Sequence, residues 1–127
     1  GQIGSLEGVC IKEWKEIKAA KIEKPWGYEL HWAKTDKYVG KLLFIKAGHR
    51  LSKQYHVKKE ETVFVLKGIL YNYDENEGVS KFYSGDTLHI EPGQVHRLGA
   101  SETNVELIEV STTELYDVVH LEDDYSR

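Results

Sequence analysis

The chain has 127 residues, one cysteine and a formal net charge of −4, which fits a single domain whose core needs no disulfides. With Cys10 alone, an internal disulfide and a thiolate metal cluster are excluded; there is no basic face for nucleic acid and no run of about 18 apolar residues for a membrane span. The start, GQIGSLEGVC, lacks the basic and apolar regions of a signal peptide, so the expected location is the cytoplasm, with no nucleic-acid or membrane partner.

Taken in chain order, residues 11–22 (IKEWKEIKAAKI) place Ile11, Trp14, Ile17 and Lys18 at three- and four-residue spacing. That spacing predicts a short amphipathic helix, a lid or dimer contact, within an N-terminal extension of residues 1–23. From Pro25 the period changes to two. In WGYELHWAKTD, Trp26, Tyr28, Leu30 and Trp32 share one face, while Gly27, Glu29, His31 and Ala33 take the other. The aromatic face reads as barrel core, with stacking on a sugar ring as the alternative. Further strands are expected in VGKLLFIK, TVFVLKGILYNY, KFYSGDTLHI, NVELIEVS and YDVVHLE, separated by the turn signals AGHR, YDENEG, SGD, EPGQ and ASETN. Many short strands with regular turns predict an all-β sandwich or barrel over residues 24–127.

Two glycine-bounded stretches carry the chemistry. In GHRLSKQYHVKKEETVFVLKG, Gln54 and His56 are two apart and share a strand face. Glu61 is five beyond His56, so a turn in the polar VKKE run is required for its carboxylate to re-enter on the same side. In GDTLHIEPGQVH, His96 follows a turn and closes the set from a second segment. A Gln, His, Glu, His set of oxygen and nitrogen donors suits Zn²⁺, Mn²⁺, Fe²⁺, Co²⁺ or Ni²⁺ and not the soft ions that want thiolates. The cations Lys41, Lys46, Arg50, Lys53, Lys58 and Lys59 around the first stretch either attract a small phosphorylated or acidic ligand or form a solvated rim. His49 and His89 are expected to be outward or structural.

On these residues the chain resembles the cupins, small antiparallel jelly-roll barrels. Gly48, His56, Glu61 and Gly68 fall on the first cupin motif, with Gln54 in the place of the first histidine, and Gly85, Gly93 and His96 fall on the second. The usual proline of that second motif falls at Glu91, with Pro92 one residue later. A closer resemblance is to the C-terminal cupin domain of type II mannose-6-phosphate isomerases, through KPWGYE, RLSKQYH, PGQVHRL, ELIEV and EDDYSR, over residues 24–127. That family has glutamine at the position of Gln54. The chain departs from it after His56, where HVKKEETV keeps the glutamate and loses the family's histidine and aromatic neighbours.

The resemblance implies a metal-dependent aldose–ketose isomerase of a phosphorylated hexose, mannose 6-phosphate to fructose 6-phosphate, with Gln54, His56, Glu61 and His96 as ligands and zinc the favoured ion. Arg97 stands where the family has an arginine and is expected to serve catalysis. Glu109 is the candidate base, because burial would raise its pKa toward neutrality. Arg50 and Lys53 are expected to receive the phosphate. A non-catalytic, metal-containing sugar-binding cupin and a metal-dependent oxidoreductase are the alternatives. Jelly-roll sheets leave edges and faces exposed, so a homodimer is expected.

Overall fold

The computed structural model describes residues 12–114 and 116–125. It contains eleven strands: β1 Ala20–Lys24, β2 Gly27–Lys34, β3 Val39–Ile45, β4 Lys53–Tyr55, β5 Glu61–Lys67, β6 Leu70–Tyr73, β7 Val79–Phe82, β8 Thr87–Ile90, β9 Arg97–Ala100, β10 Val105–Ser111 and β11 Val119–Glu122. Six of them form one antiparallel sheet in the order β1-β2-β3-β10-β5-β8. The opposing wall is β7-β6-β9, continued by the pair β4-β11 through the bridges Arg50↔Gly99 and Gln54↔His96. Facing antiparallel sheets with distant strands paired, β3 with β10 and β10 with β5, give the expected all-β jelly roll.

Among the described residues there is no helix. Residues 12–19 carry no regular structure, and Ala20–Lys24 is an edge strand paired with β2. The helix expected over residues 11–22 is therefore corrected; Ile11 itself lies outside the described residues. Trp14 is 102% and Ile17 76% exposed, so the apolar stripe packs on nothing. A lone helix of this length is marginal without a packing partner, and the sheet edge offers its second half a ladder instead. No helix among the described residues is long and apolar enough to cross a membrane.

Along the inner face of the large sheet the side chains grade from apolar to polar. Ile45 lies opposite Val105, then Leu43, Leu107 and Val65 form a row, then Lys41, Glu109 and Val63, and finally Val39, Ser111 and Glu61. The apolar end, with Trp26, Leu70, Leu98 and Ala100, forms the core. Each fully buried aliphatic side chain there contributes roughly 1.5–3 kcal/mol. The polar end lines a cavity.

The faces of β2 are the reverse of those expected. Trp26 is buried, but Glu29 and His31 line the cavity, whereas Tyr28 stacks on Phe44 at 5.1 Å on the outer side and Trp32 is 46% exposed. The exchange occurs at Gly27, whose φ of 154° turns the chain where a Cβ would overlap the Phe44 carbonyl oxygen. An apolar stripe at period two marked a strand correctly, but it did not mark the inside.

Candidate metal centre

The cavity between the two walls has a volume of about 350 Å³. Its floor is built by three side chains from three separated places: His56 just beyond β4, Glu61 at the first residue of β5, and His96 just before β9. The polar run 57–60 makes the turn that brings Glu61 back toward His56. Asp117, sixty residues away in sequence, holds that turn. Its carboxylate accepts hydrogen bonds from the backbone N–H groups of Val57 (3.1 Å), Lys58 (2.6 Å) and Lys59 (3.0 Å), and these N–H donors hold its own pKa below the usual carboxylate range.

Hydrogen bonds fix the tautomers of both imidazoles. A carbonyl oxygen only accepts, so His56 donates from Nδ1 to the Asp117 carbonyl at 2.6 Å, and His96 donates from Nδ1 to the Gln94 carbonyl at 3.0 Å. Each ring thereby turns Nε2 into the cavity, as a lone pair when the ring is neutral and as an N–H toward Glu61 when it is protonated. Both Nε2 atoms are buried without a hydrogen-bond partner, and each lies 3.4 Å from the same oxygen, Oε1 of Glu61, outside hydrogen-bond alignment. Unpartnered buried polar atoms are costly. A divalent cation, taking all three donor atoms, which lie within 4.8 Å of one another, satisfies them. The donor set fits such an ion.

The surroundings balance charge. Lys59 is 4% exposed and places Nζ 3.1 Å from Glu61 Oε2 and 3.3 Å from Glu109 Oε2. Burial alone would raise the Glu61 pKa, but the two imidazoles and Lys59 outweigh it and hold this carboxyl far below its ordinary value. Glu109 goes the other way: burial, aided by the charge of Glu61, pushes it up to about 7 against the pull of Lys59 and Lys41. Farther along the wall, Glu29 Oε1 meets His31 Nε2 at 2.8 Å and Lys41 Nζ at 3.4 Å. Gln54 lines the same cavity. Its Oε1 accepts from Ser52 Oγ at 2.8 Å, which leaves His120 Nδ1 to donate to Ser52 Oγ at 2.6 Å.

Of the residues singled out from the sequence, His56, Glu61 and His96 converge, and Gln54 and Glu109 face the same cavity. Arg97, Arg50 and Lys53 are not among its lining residues. Arg97 follows His96 and points to the opposite side, as strand alternation requires; its Nε donates to Leu51 O at 2.9 Å and its Nη2 lies 2.8 Å from Asp124. Arg50 also grips Asp124, through Nε at 2.6 Å and Nη2 at 3.2 Å. Lys53 binds the Glu75 carbonyl and Glu77, both at 3.2 Å. The two arginines thus pin the C-terminal segment, and the lysine ties down a loop. The cations that do enter the cavity are Lys41 and Lys59, with Lys24 and Lys34 at its rim. Composition put the first two in the positive neighbourhood of the motif without distinguishing them; only their pairing across strands shows that they are buried. Glu29, His31, Ser52 and His120 carried no sequence signal beyond being polar. His49, bonded to the Tyr125 hydroxyl at 2.6 Å, and His89, exposed and paired with Glu60 at 2.7 Å, stand away from the site.

The family described as mannose-6-phosphate isomerase C-terminal matches residues 12–127. The chain belongs to this family. Among solved structures, it is similar to a Klebsiella pneumoniae protein with a double-stranded beta-helix domain (17% identity, 87% of this chain and 90% of that one, TM-score 0.67). It is also similar to KdgF from Halomonas sp. (15%, 84% and 92%, TM-score 0.66) and to Streptomyces Pac13, described as a nucleoside dehydratase (14%, 88% and 93%, TM-score 0.70). At these identities the likeness shows the shared double-stranded β-helix, or cupin, fold of this mannose-6-phosphate isomerase C-terminal domain and nothing finer. No curated protein sequence matches the chain.

Proposed function

We propose that this domain is a metal-dependent aldose–ketose isomerase acting on a phosphorylated hexose, of the mannose 6-phosphate to fructose 6-phosphate type. The observation that carries this reading is the pair of buried, unpartnered Nε2 atoms facing Glu61 Oε1, with the Glu109 carboxyl beside them poised near neutrality. His56, Glu61 and His96 hold the ion, zinc by preference, and Gln54 supplies the fourth donor once its amide leaves Ser52. When bound, such an ion polarises the substrate oxygens as a Lewis acid.

Glu109 then acts on carbon. As a carboxylate it takes the proton from C2 of the open-chain aldose, leaving an enediolate; the hydroxyl proton on O2 passes to O1, and Glu109 as the acid returns the first proton to C1 to give the ketose, so a pKa near 7 suits both halves. Lys59 holds Glu109 against the cavity wall. The phosphate lies toward Lys41 and the rim lysines Lys24 and Lys34, which take the place of Arg50 and Lys53. Arg97 serves by anchoring the C-terminal segment through Asp124, and not by touching substrate.

The test is a coupled assay for fructose 6-phosphate with zinc-loaded, metal-stripped and reconstituted protein. Turnover that disappears with chelator and returns with metal supports the isomerase. Metal-loaded protein that binds hexose phosphate without turning it over favours the sugar-binding alternative, and activity persisting in excess chelator sinks the metal-dependent reading.

A further inference from the structure

The cavity carries a second polar cluster, on the β2 side, that the proposed reaction leaves unused. Register lays His31, Lys41, Glu109 and Val63 in one row across β2, β3, β10 and β5, with Glu61 one row along on β5 and Glu29 one row the other way on β2. Neighbouring strands lie about 4.8 Å apart, so the backbones of β2 and β10 are separated by roughly 10 Å. Glu29 Oε1 is shared between His31 Nε2 at 2.8 Å and Lys41 Nζ at 3.4 Å. Burial works against the charge on Glu29, but Lys41, His31 and Lys24 outweigh it, so the carboxylate accepts and Nε2 donates. Glu29 Oε2 and His31 Nδ1 are left with no hydrogen-bond partner among the described residues, on side chains that are 15% and 20% exposed and line the cavity.

We propose that Glu29 and His31 form a subsite that reads hydroxyl groups in the middle of the substrate chain. The register of the substrate rests on the isomerase reading: with C1 and C2 at Glu109, the next carbons run along the row toward β2 and bring the C3 and C4 hydroxyls to this pair, and the phosphate passes beyond it to the rim lysines. The two unused atoms select the ligand. A carboxylate oxygen only accepts, whereas Nδ1 accepts in the neutral ring and donates in the charged one; a hydroxyl, donor and acceptor at once, satisfies both in either state. A phosphate dianion only accepts, and here it would meet the negative charge of Glu29. A second metal cation is opposed by Lys41 on the same carboxylate and by Lys24 nearby. An apolar group would strand a largely buried charged acceptor. At about 350 Å³ the cavity is at the small end of ligand sites, sized for one sugar and not for a chain of them.

Titration calorimetry on the zinc-loaded protein with a hexitol phosphate, an open-chain polyol that has no carbonyl to react, tests the subsite without turnover. The wild type is expected to bind it, and Glu29→Gln and His31→Phe, each checked for folding by far-ultraviolet circular dichroism, are expected to bind about 10-fold more weakly or worse, as when a hydrogen bond to a charged group is lost. Removing the C3 or C4 hydroxyl from the ligand should cost the wild type a similar factor and the variants little further. Inorganic phosphate should bind Glu29→Gln at least as well as the wild type. Wild-type affinity in both variants, a deoxy penalty that persists in them, phosphate binding lost with Glu29, or a wild type that does not bind the hexitol phosphate overturns the assignment. The two readings fail separately: binding that depends on this pair with no fructose 6-phosphate formed from mannose 6-phosphate removes the isomerase and keeps the subsite, whereas turnover with full affinity in both variants does the reverse.

Discussion

Replacing Lys59 by methionine isolates the charge that holds the two cavity carboxylates together. Its Nζ lies 3.1 Å from Glu61 and 3.3 Å from Glu109, and the side chain is almost wholly buried. At an effective dielectric of about 20, each contact is worth about 5 kcal/mol of Coulomb attraction, which burying the ammonium largely offsets. Removing one member of such a buried network strands the others, and the usual cost is about 3–5 kcal/mol. Methionine matches the stem in volume, so little of the loss should come from a cavity. Glu109, already near pH 7, can take up a proton and relieve its share; Glu61 cannot do so readily, because both imidazoles still favour its charged form. The metal-free variant should therefore unfold in urea with about 3–5 kcal/mol less stability than the wild type and melt roughly 10 °C lower or more. Adding zinc should narrow the gap, since the ion supplies positive charge to the same carboxylate. A metal-free variant within about 1 kcal/mol of the wild type would refute the reasoning, because it would mean that the Lys59 ammonium is not desolvated between the two acids.

His56→Ala and His96→Ala should each abolish zinc binding measured by titration calorimetry, and full occupancy in either would remove the constellation. Asp117→Asn keeps the backbone carbonyl that orients His56 but weakens the carboxylate that holds the turn carrying Glu61 back to it, so zinc binding should weaken by about 10-fold, whereas Asp74→Asn, which disturbs another turn capped in the same manner, should leave affinity unchanged; equal affinities in the two variants would show that the Asp117 carboxylate does not position the ligands. Burial raises the pKa of Glu29, but Lys41, His31 and Lys24 outweigh it, so its net shift is downward. Its folded-state pKa is thus below the unfolded one, so its contribution is present at neutral pH and is lost as pH falls below the ordinary glutamate range. Glu29→Gln should flatten that acid limb in urea unfolding across pH 3 to 6, and a wild-type-like acid limb would show that the carboxylate is not held by its neighbours.

Much of the architecture follows from local pattern. The segments that became β2, β3, β5 to β8, β10 and β11 alternate or carry β-branched and aromatic runs between glycine-rich turns, and such patterns act within a few residues of chain. Short β4, edge strand β1 and the four residues of β9 lack a pattern of their own; each exists because another strand offers a ladder. The same distinction separates the helix expected at residues 11–22 from the strand found at Ala20–Lys24, since a narrow apolar stripe becomes a helix only when something packs on it.

The sequence by itself determined a metal-capable set: His56, Glu61 and His96 are the right donors, and their spacing from the motif glycines was enough to bring them together. Tertiary structure decided what surrounds them. Lys59 and Glu109 are fifty residues apart, and Asp117 is sixty-one from the histidine it orients. No local periodicity records such pairings, because they arise only when β10 lies beside β5 and the segment after β10 folds back over the turn. Tertiary structure also decided which side of the large sheet is inside. An apolar stripe specifies that a face must be covered but not by what, and here the barrel interior took the charged stripe while the apolar one turned outward.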